Sequence, residues 1–281
     1  MDPATSALIF LHIPKSGGTT LHGIIERQYP ADRIYTVDSR DVRASIAAFK
    51  ALPAEARRRL QVLKGHMAFG LHAWLPQPST YITLVRHPVE RAISHYYHIR
   101  RTPHHTHYAT VVGQDMSLHE FILAGVSRLV DNGQVRALAA AEEVPYGHCT
   151  AALLERAIAH IEGYFTLVGL TERFDETLVL LRRALGWRVT AYRTRNVGRN
   201  RPPTAAVPAA TLKLIADLNE LDLRLYEYAV GRFAEAMTAY GPDFPAAVAR
   251  FRRGNTLRGY YGRLIGHLRS LPFFSRRELR V

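Results

Sequence analysis

Residues 15–20 read Lys-Ser-Gly-Gly-Thr-Thr, a set suited to holding an anion. Glycines let a backbone approach a phosphate closely, Lys15 brings a point charge, and the hydroxyls of Ser16, Thr19 and Thr20 add donors. Gly17 and Gly18 supply the turn. A second set follows at Arg86 and Ser94, eight residues or about two helical turns apart. An arginine fork with a hydroxyl on the next helix can grip a second phosphate, and Arg91 shares a face with Ser94. The third candidate is His66. An imidazole titrates near neutrality and suits a general base that takes a proton from an attacking hydroxyl. His72 is its rival on the same chemistry, ahead of His12 and His87.

These residues need elements to hold them. Ala7–Leu11 is a short apolar run of the kind a buried parallel strand shows, and Pro14 ends it. Leu21, Ile24 and Ile25 then follow a helical pattern. Strand, glycine turn and helix start present free N–H groups and the positive end of a helix dipole to an anion. The lysine precedes both glycines, so this is not the nucleotide loop G-x-x-x-x-G-K-[ST]. Tyr81–Val85 is another β-rich run, with Arg86 where it ends, Pro88 in the first turn of a helix and Glu90 near that helix's positive end. Leu60–Leu63 is a third strand, delivering Lys64, Gly65 and His66. Ligands of doubly wound sheets bind at the carboxyl ends of strands, so Lys15, His66 and Arg86 should meet in one cleft.

The order P-K-S-G-G-T-T resembles the 5′-phosphosulfate loop of sulfotransferases that use 3′-phosphoadenosine 5′-phosphosulfate. HIPKSGGTTL is similar, more narrowly, to carbohydrate sulfotransferases of the heparan sulfate 2-O type and their bacterial relatives. TYITLVRHPVERAISHYYHIRR (80–101) resembles the 3′-phosphate segment of the same enzymes. The resemblance implies that Lys15, Ser16, Gly17, Gly18, Thr19 and Thr20 bind the donor's 5′ end, that Arg86 and Ser94 hold its 3′-phosphate, and that His66 is catalytic beside Lys15. Tyr192–Pro203 resembles the late loop that closes over the nucleotide, which would bring Arg199 or Arg201 to the 3′-phosphate. His87 departs from the acid or asparagine that many relatives carry after the arginine. VGLTERFDET (168–177) also recurs in bacterial relatives.

The remaining segments predict a second strand at Arg33–Val37 and helices at Arg40–Leu52, from Ser117 with a Ser117/Glu120 capping box, and from Asp131 to Leu138. Gln134 and Arg136 are there as substrate contacts or as solvated helix residues. Tyr164–Leu170 reads as a strand, Glu172–Gly186 as an amphipathic helix closed by glycine, and Ala209–Tyr240 as one or two helices packing through Leu212, Ile215, Leu218, Leu221 and Leu225. Phe69 and Trp74 fit a cleft wall or core.

The chain has 281 residues, one cysteine, 14 histidines and a formal charge of +13. One cysteine builds no disulfide framework or thiolate metal site, and His104, His105 and His107 are read as exposed loop residues. Residues 251–281 carry eight arginines against one glutamate among scattered apolar residues. That tail either lies on an anionic membrane or binds an acidic polymer, or is simply solvated. No signal peptide or spanning segment is visible, which points to a cytoplasmic protein, by the resemblance bacterial. The expectation is one α/β domain over 1–250, with a central, mostly parallel sheet flanked by helices and a helical C-terminal part, followed by the basic tail 251–281. The implied function is sulfuryl transfer from 3′-phosphoadenosine 5′-phosphosulfate to a glycan or glycolipid hydroxyl, with no metal required and no nucleic-acid partner. Two alternatives stay open: a nucleoside-triphosphate-dependent kinase, and a non-enzymatic polyanion-binding protein.

Overall fold

In a computed structural model of the chain, residues 6–189, 191–192 and 202–256 are described. The elements run β1 (Ala7–Leu11), α1 (Gly18–Ile25), β2 (Ile34–Val37), α2 (Val42–Ala51), α3 (Ala54–Arg58), β3 (Val62–Gly65), β4 (Ser79–Val85), α4 (Pro88–Arg100), α5 (Tyr108–Gly113), α6 (Leu118–Leu123), α7 (Gly133–Leu138), α8 (Ala151–Tyr164), β5 (Phe165–Leu170), α9 (Phe174–Leu185), α10 (Ala209–Leu218) and α11 (Glu220–Tyr240). Residues 244–256 form a further helix.

The five strands make one parallel sheet in the order β2-β3-β1-β4-β5. A parallel sheet covered on both faces needs continuous apolar strands, and all five residues of β1 are buried. β1 is central, paired with β3 on one side and β4 on the other. The segments that leave the carboxyl ends of these three strands therefore open side by side, carrying Lys15, His66 and Arg86.

β3 lies two residues later than its pattern suggests. Lys64 and Gly65 are inside the strand, opposite Phe10 and Leu11 of β1, and only His66 is past its end. Tyr164 ends α8 instead of opening β5. The Ser117/Glu120 capping box of α6 forms in full, and Gly186 closes α9 in the left-handed region (φ 66°). α10 and α11 meet at Asn219, with Ile215, Leu221 and Leu225 buried. The last helix crosses residue 250 and stays on the domain: Phe251 is buried against Tyr192, and Arg252 pairs with Asp175 at 3.1 Å. Residues 257–281 lie outside the described part.

A second apolar cluster, around Ile93, Tyr96, Ile99, Phe121 and Ile215, packs α4 among α5, α6 and α10. Below it the Arg91 and Asp222 side chains, both 0% exposed, pair at 3.2 Å. Asp222 also accepts from the N–H groups of Gln134 and Val135 at the start of α7. Asn132 and Asn219 add reciprocal side chain–backbone bonds between the two segments. Buried polar groups persist only when partnered, and here the partners lock α7 to α11.

Candidate active site

The loop between β1 and α1 is held open by its backbone. Lys15 and Gly17 are both left-handed (φ 69° and 77°), glycine adopting this freely and lysine only where its surroundings impose it. Thr171 imposes part of it: its hydroxyl lies 2.9 Å from the Ser16 carbonyl and 3.0 Å from that of Val85, tying the loop to the end of β4. Ser16 Oγ is buried and has no hydrogen-bond partner in this structure. A buried hydroxyl without a partner is costly, and a phosphate oxygen seated on the loop would supply one. The Thr20 N–H turns back to the Gly17 carbonyl at 3.2 Å as α1 begins, and the positive end of that helix dipole favours an anion at the loop. The loop therefore fits an anionic phosphate group.

Gly18 serves a different need from the one its position suggests. A Cβ there would lie 2.1 Å from the His12 ring, so this glycine makes room for an imidazole packed against the loop. His12 in turn stacks on His66, with centroids 4.2 Å apart.

His66 Nδ1 lies 2.9 Å from the His12 carbonyl oxygen. A carbonyl only accepts, so Nδ1 carries the proton and Nε2 keeps its lone pair. Burial lowers the His66 pKa below the ordinary imidazole value; the His12 carbonyl opposes this and the Lys15 charge adds to it. His66 is thus neutral near pH 7, with a bare nitrogen available. His72 is excluded as its rival by position. Its Nδ1 lies 3.0 Å from the Tyr81 hydroxyl and its ring lies against Tyr164, at the amino ends of β4 and β5, the far edge of the sheet from Lys15.

Arg86 is pinned at both ends. The Gln134 amide brackets its backbone, accepting from Arg86 N–H at 2.9 Å and donating to Arg86 C=O at 3.0 Å. Its guanidinium donates to the Lys15 carbonyl and pairs with Glu90, each at 3.2 Å. Glu90 also meets Thr204. Ser94 stands on the partly exposed stripe of α4 with Glu90, His98 and Arg101. Lys15 feels that stripe: burial first, then the charges of Arg101 and Arg86, lower its pKa to about 8.

Several expectations are corrected. Gln134 and Arg136 are buried, so neither is a solvated helix residue or a contact open to substrate. Gln134 positions Arg86, and Arg136 is spent on Asp131 and on the carbonyls of Val144 and Pro145. Trp74 is 42% exposed beneath the Lys50 and Arg57 cations and is not core, whereas Phe69 does pack, stacked 3.9 Å from His160. Arg91 shares the helix with Ser94 but is buried on Asp222. His104 is exposed, His105 and His107 are half-buried, and the described residues contain no group of three or more His, Cys, Asp and Glu placed to hold a metal ion. Arg199 and Arg201 lie outside the described residues. Arg101 and Thr171 were not singled out, though each falls in a matched segment (80–101 and 168–177), and Gln134 was read as a substrate contact or a solvated residue, not as the group that positions Arg86.

A parallel sheet whose central strand feeds an anion loop, flanked by an arginine and a poised histidine, defines a phosphate-binding transferase class of site. The chain belongs to the galactose-3-O-sulfotransferase family, whose sequence model matches residues 2–258. It is 30% identical to human galactose-3-O-sulfotransferase 3 over 194 residues, covering 62% of this chain and 42% of that protein. It is 26% identical to human galactose-3-O-sulfotransferase 2 over 62% of this chain and 45% of that one. Human heparan-sulfate 6-O-sulfotransferase 1 is 28% identical over 81% of this chain and 66% of its own length. The chain spans less than half the length of the two galactose-3-O relatives. The carbohydrate sulfotransferase likeness thus holds at family level, and the family whose model matches is the galactose-3-O one.

Proposed function

We propose that the protein transfers the sulfuryl group of 3′-phosphoadenosine 5′-phosphosulfate to a hydroxyl of a glycan or glycolipid. The observation that carries this reading is the 2.9 Å contact of His66 Nδ1 with the His12 carbonyl, which leaves Nε2 as the bare nitrogen one strand away from a loop with an unsatisfied buried hydroxyl at Ser16. Family membership supports the donor and the carbohydrate class of acceptor.

In this reading the loop backbone from Ser16 to Gly18, the hydroxyls of Ser16, Thr19 and Thr20, and Lys15 hold the donor's 5′ end, with Gly17 supplying the left-handed turn and Gly18 the room for His12. Arg86 and Ser94 take the 3′-phosphate. His66 Nε2 removes the proton of the acceptor hydroxyl as its oxygen bonds to sulfur. The bond from sulfur to the bridging phosphate oxygen breaks in line, and its electron pair leaves with adenosine 3′,5′-bisphosphate. Lys15 and the loop dipoles stabilise that growing charge, work for which one donor is typically worth about 10²–10³ in rate. The one cysteine suits a reducing, cytoplasmic setting, with the arginine-rich tail as a peripheral membrane contact.

The test is transfer from the labelled donor to a panel of galactose-terminated and uronic-acid glycans, read as sulfated product. Product from at least one glycan, abolished in His66→Ala, is expected. Hydrolysis of ATP with magnesium, and no sulfated product, would favour the kinase alternative.

A further inference from the structure

We propose that His12 donates a hydrogen bond from Nε2 to the anion seated on the 15–20 loop, and that the buried string Glu26–Lys64–His22 fixes the direction of its proton. The inference rests on the reading of that loop as the donor's phosphosulfate site.

Lys64 lies in the middle of β3 with its side chain 1% exposed, a costly place for an ammonium group. Its Nζ lies 2.7 Å from Glu26 Oε1 and 3.0 Å from His22 Nδ1. His22 Nε2 lies 3.0 Å from His12 Nδ1. An ammonium has only donors, so His22 must accept at Nδ1 and carry its proton at Nε2. That proton goes to His12 Nδ1, and His12 must then hold its own at Nε2. The direction follows from the lysine at the head of the string. Burial, then the neighbouring Lys64 and His66, lower the His22 pKa to about 4, and burial likewise holds His12 well below the ordinary imidazole value, so each ring carries one proton.

The Nε2 edge of His12 faces Gly18, where a Cβ would sit 2.2 Å from it. Gly18 is the first residue of α1, on the loop read above as the anion site. The stacked His66 ring presents a bare Nε2 beside it. The two rings thus divide the work: His66 accepts from the acceptor hydroxyl, and His12 donates to the sulfuryl donor. Lys64 and His22 act through His12 and are positioning residues.

The test is heteronuclear NMR of the imidazole nitrogens with calorimetry of adenosine 3′,5′-bisphosphate. In the wild type His12 and His22 should be protonated at Nε2 and His66 at Nδ1, and the bisphosphate should shift the His12 Nε2 proton. Lys64→Met keeps the volume and removes a buried charge, a change such cores often tolerate, since Glu26 remains half-exposed. It should release His22 and His12 into mixed tautomers and weaken the bisphosphate about tenfold. His22→Gln, which keeps one donor and one acceptor, should retain most of the affinity. A wild-type His12 protonated at Nδ1, or a bisphosphate that binds without moving the His12 signals, overturns the inference and leaves the phosphate site standing. Absence of any bisphosphate binding overturns both.

Discussion

At the scale of single residues, the site separates a base from a charge. His66 reaches its lone-pair state through one bond to a backbone carbonyl, which no substitution elsewhere on the His12 side chain removes. His66→Ala should lower kcat by about 10²–10⁴, the usual worth of general base catalysis, while leaving bisphosphate affinity within a few-fold. Steady-state kinetics beside calorimetry checks the split. The pH profile follows from the signs. His66 has a lowered pKa, so the neutral base persists below pH 6.5 and the acid limb of kcat/KM should fall under that value. Lys15 loses its charge above about pH 8, which sets a basic limb there. Lys15→Arg, charged at all working pH values, should remove the basic limb and keep the acid one. Gly18→Ala should abolish bisphosphate binding, because its methyl group would occupy the space of the His12 ring.

At the scale of elements, the cleft depends on how α7 and α11 hold the end of β4. Gln134 brackets Arg86, and Asp222 in α11 binds the two N–H groups that start α7. Gln134→Ala strands a buried backbone pair and should cost about 1–3 kcal/mol of stability while weakening bisphosphate binding. Asp222→Ala leaves the Arg91 guanidinium buried without its counter-ion and should cost about 3–5 kcal/mol, measured by denaturant unfolding. Such contacts explain what was legible in the chain. β1, β4 and the α6 capping box are local signals, written in apolar runs, prolines and a Ser-x-x-Glu spacing. β3 is displaced because Lys64 interrupts its apolar run, and the partners that make that lysine tolerable, His22 and Glu26, lie about 40 residues away. The Arg91–Asp222 pair spans 131 positions, so nothing in a window around Arg91 reveals that it is structural. Trp74 resembles core by type, yet two cations cover its ring at the surface.

At the scale of the whole molecule, one parallel sheet brings three separate segments to one edge, and the second apolar cluster braces the helix that carries Ser94. The loop residues 15–20 and Arg86 were legible because each follows directly from a strand end. The bracketing of Arg86 by Gln134 and the nearness of Arg101 to Lys15 were not, because they depend on the packing of α4 and α7. Removal of the chain beyond residue 256 should leave bisphosphate binding unchanged, since Lys15, the loop 15–20, Arg86 and Ser94 all stand on elements before it. The central claim is that the strand–loop–helix and Arg86 form a site for a nucleoside bisphosphate. The most direct measurement is calorimetric titration of adenosine 3′,5′-bisphosphate without metal, beside ADP and ATP with magnesium. Selective binding of the bisphosphate, lost in Lys15→Ala and in Arg86→Ala, is the predicted result. Preference for ATP with magnesium, or bisphosphate binding indifferent to both substitutions, would contradict the account.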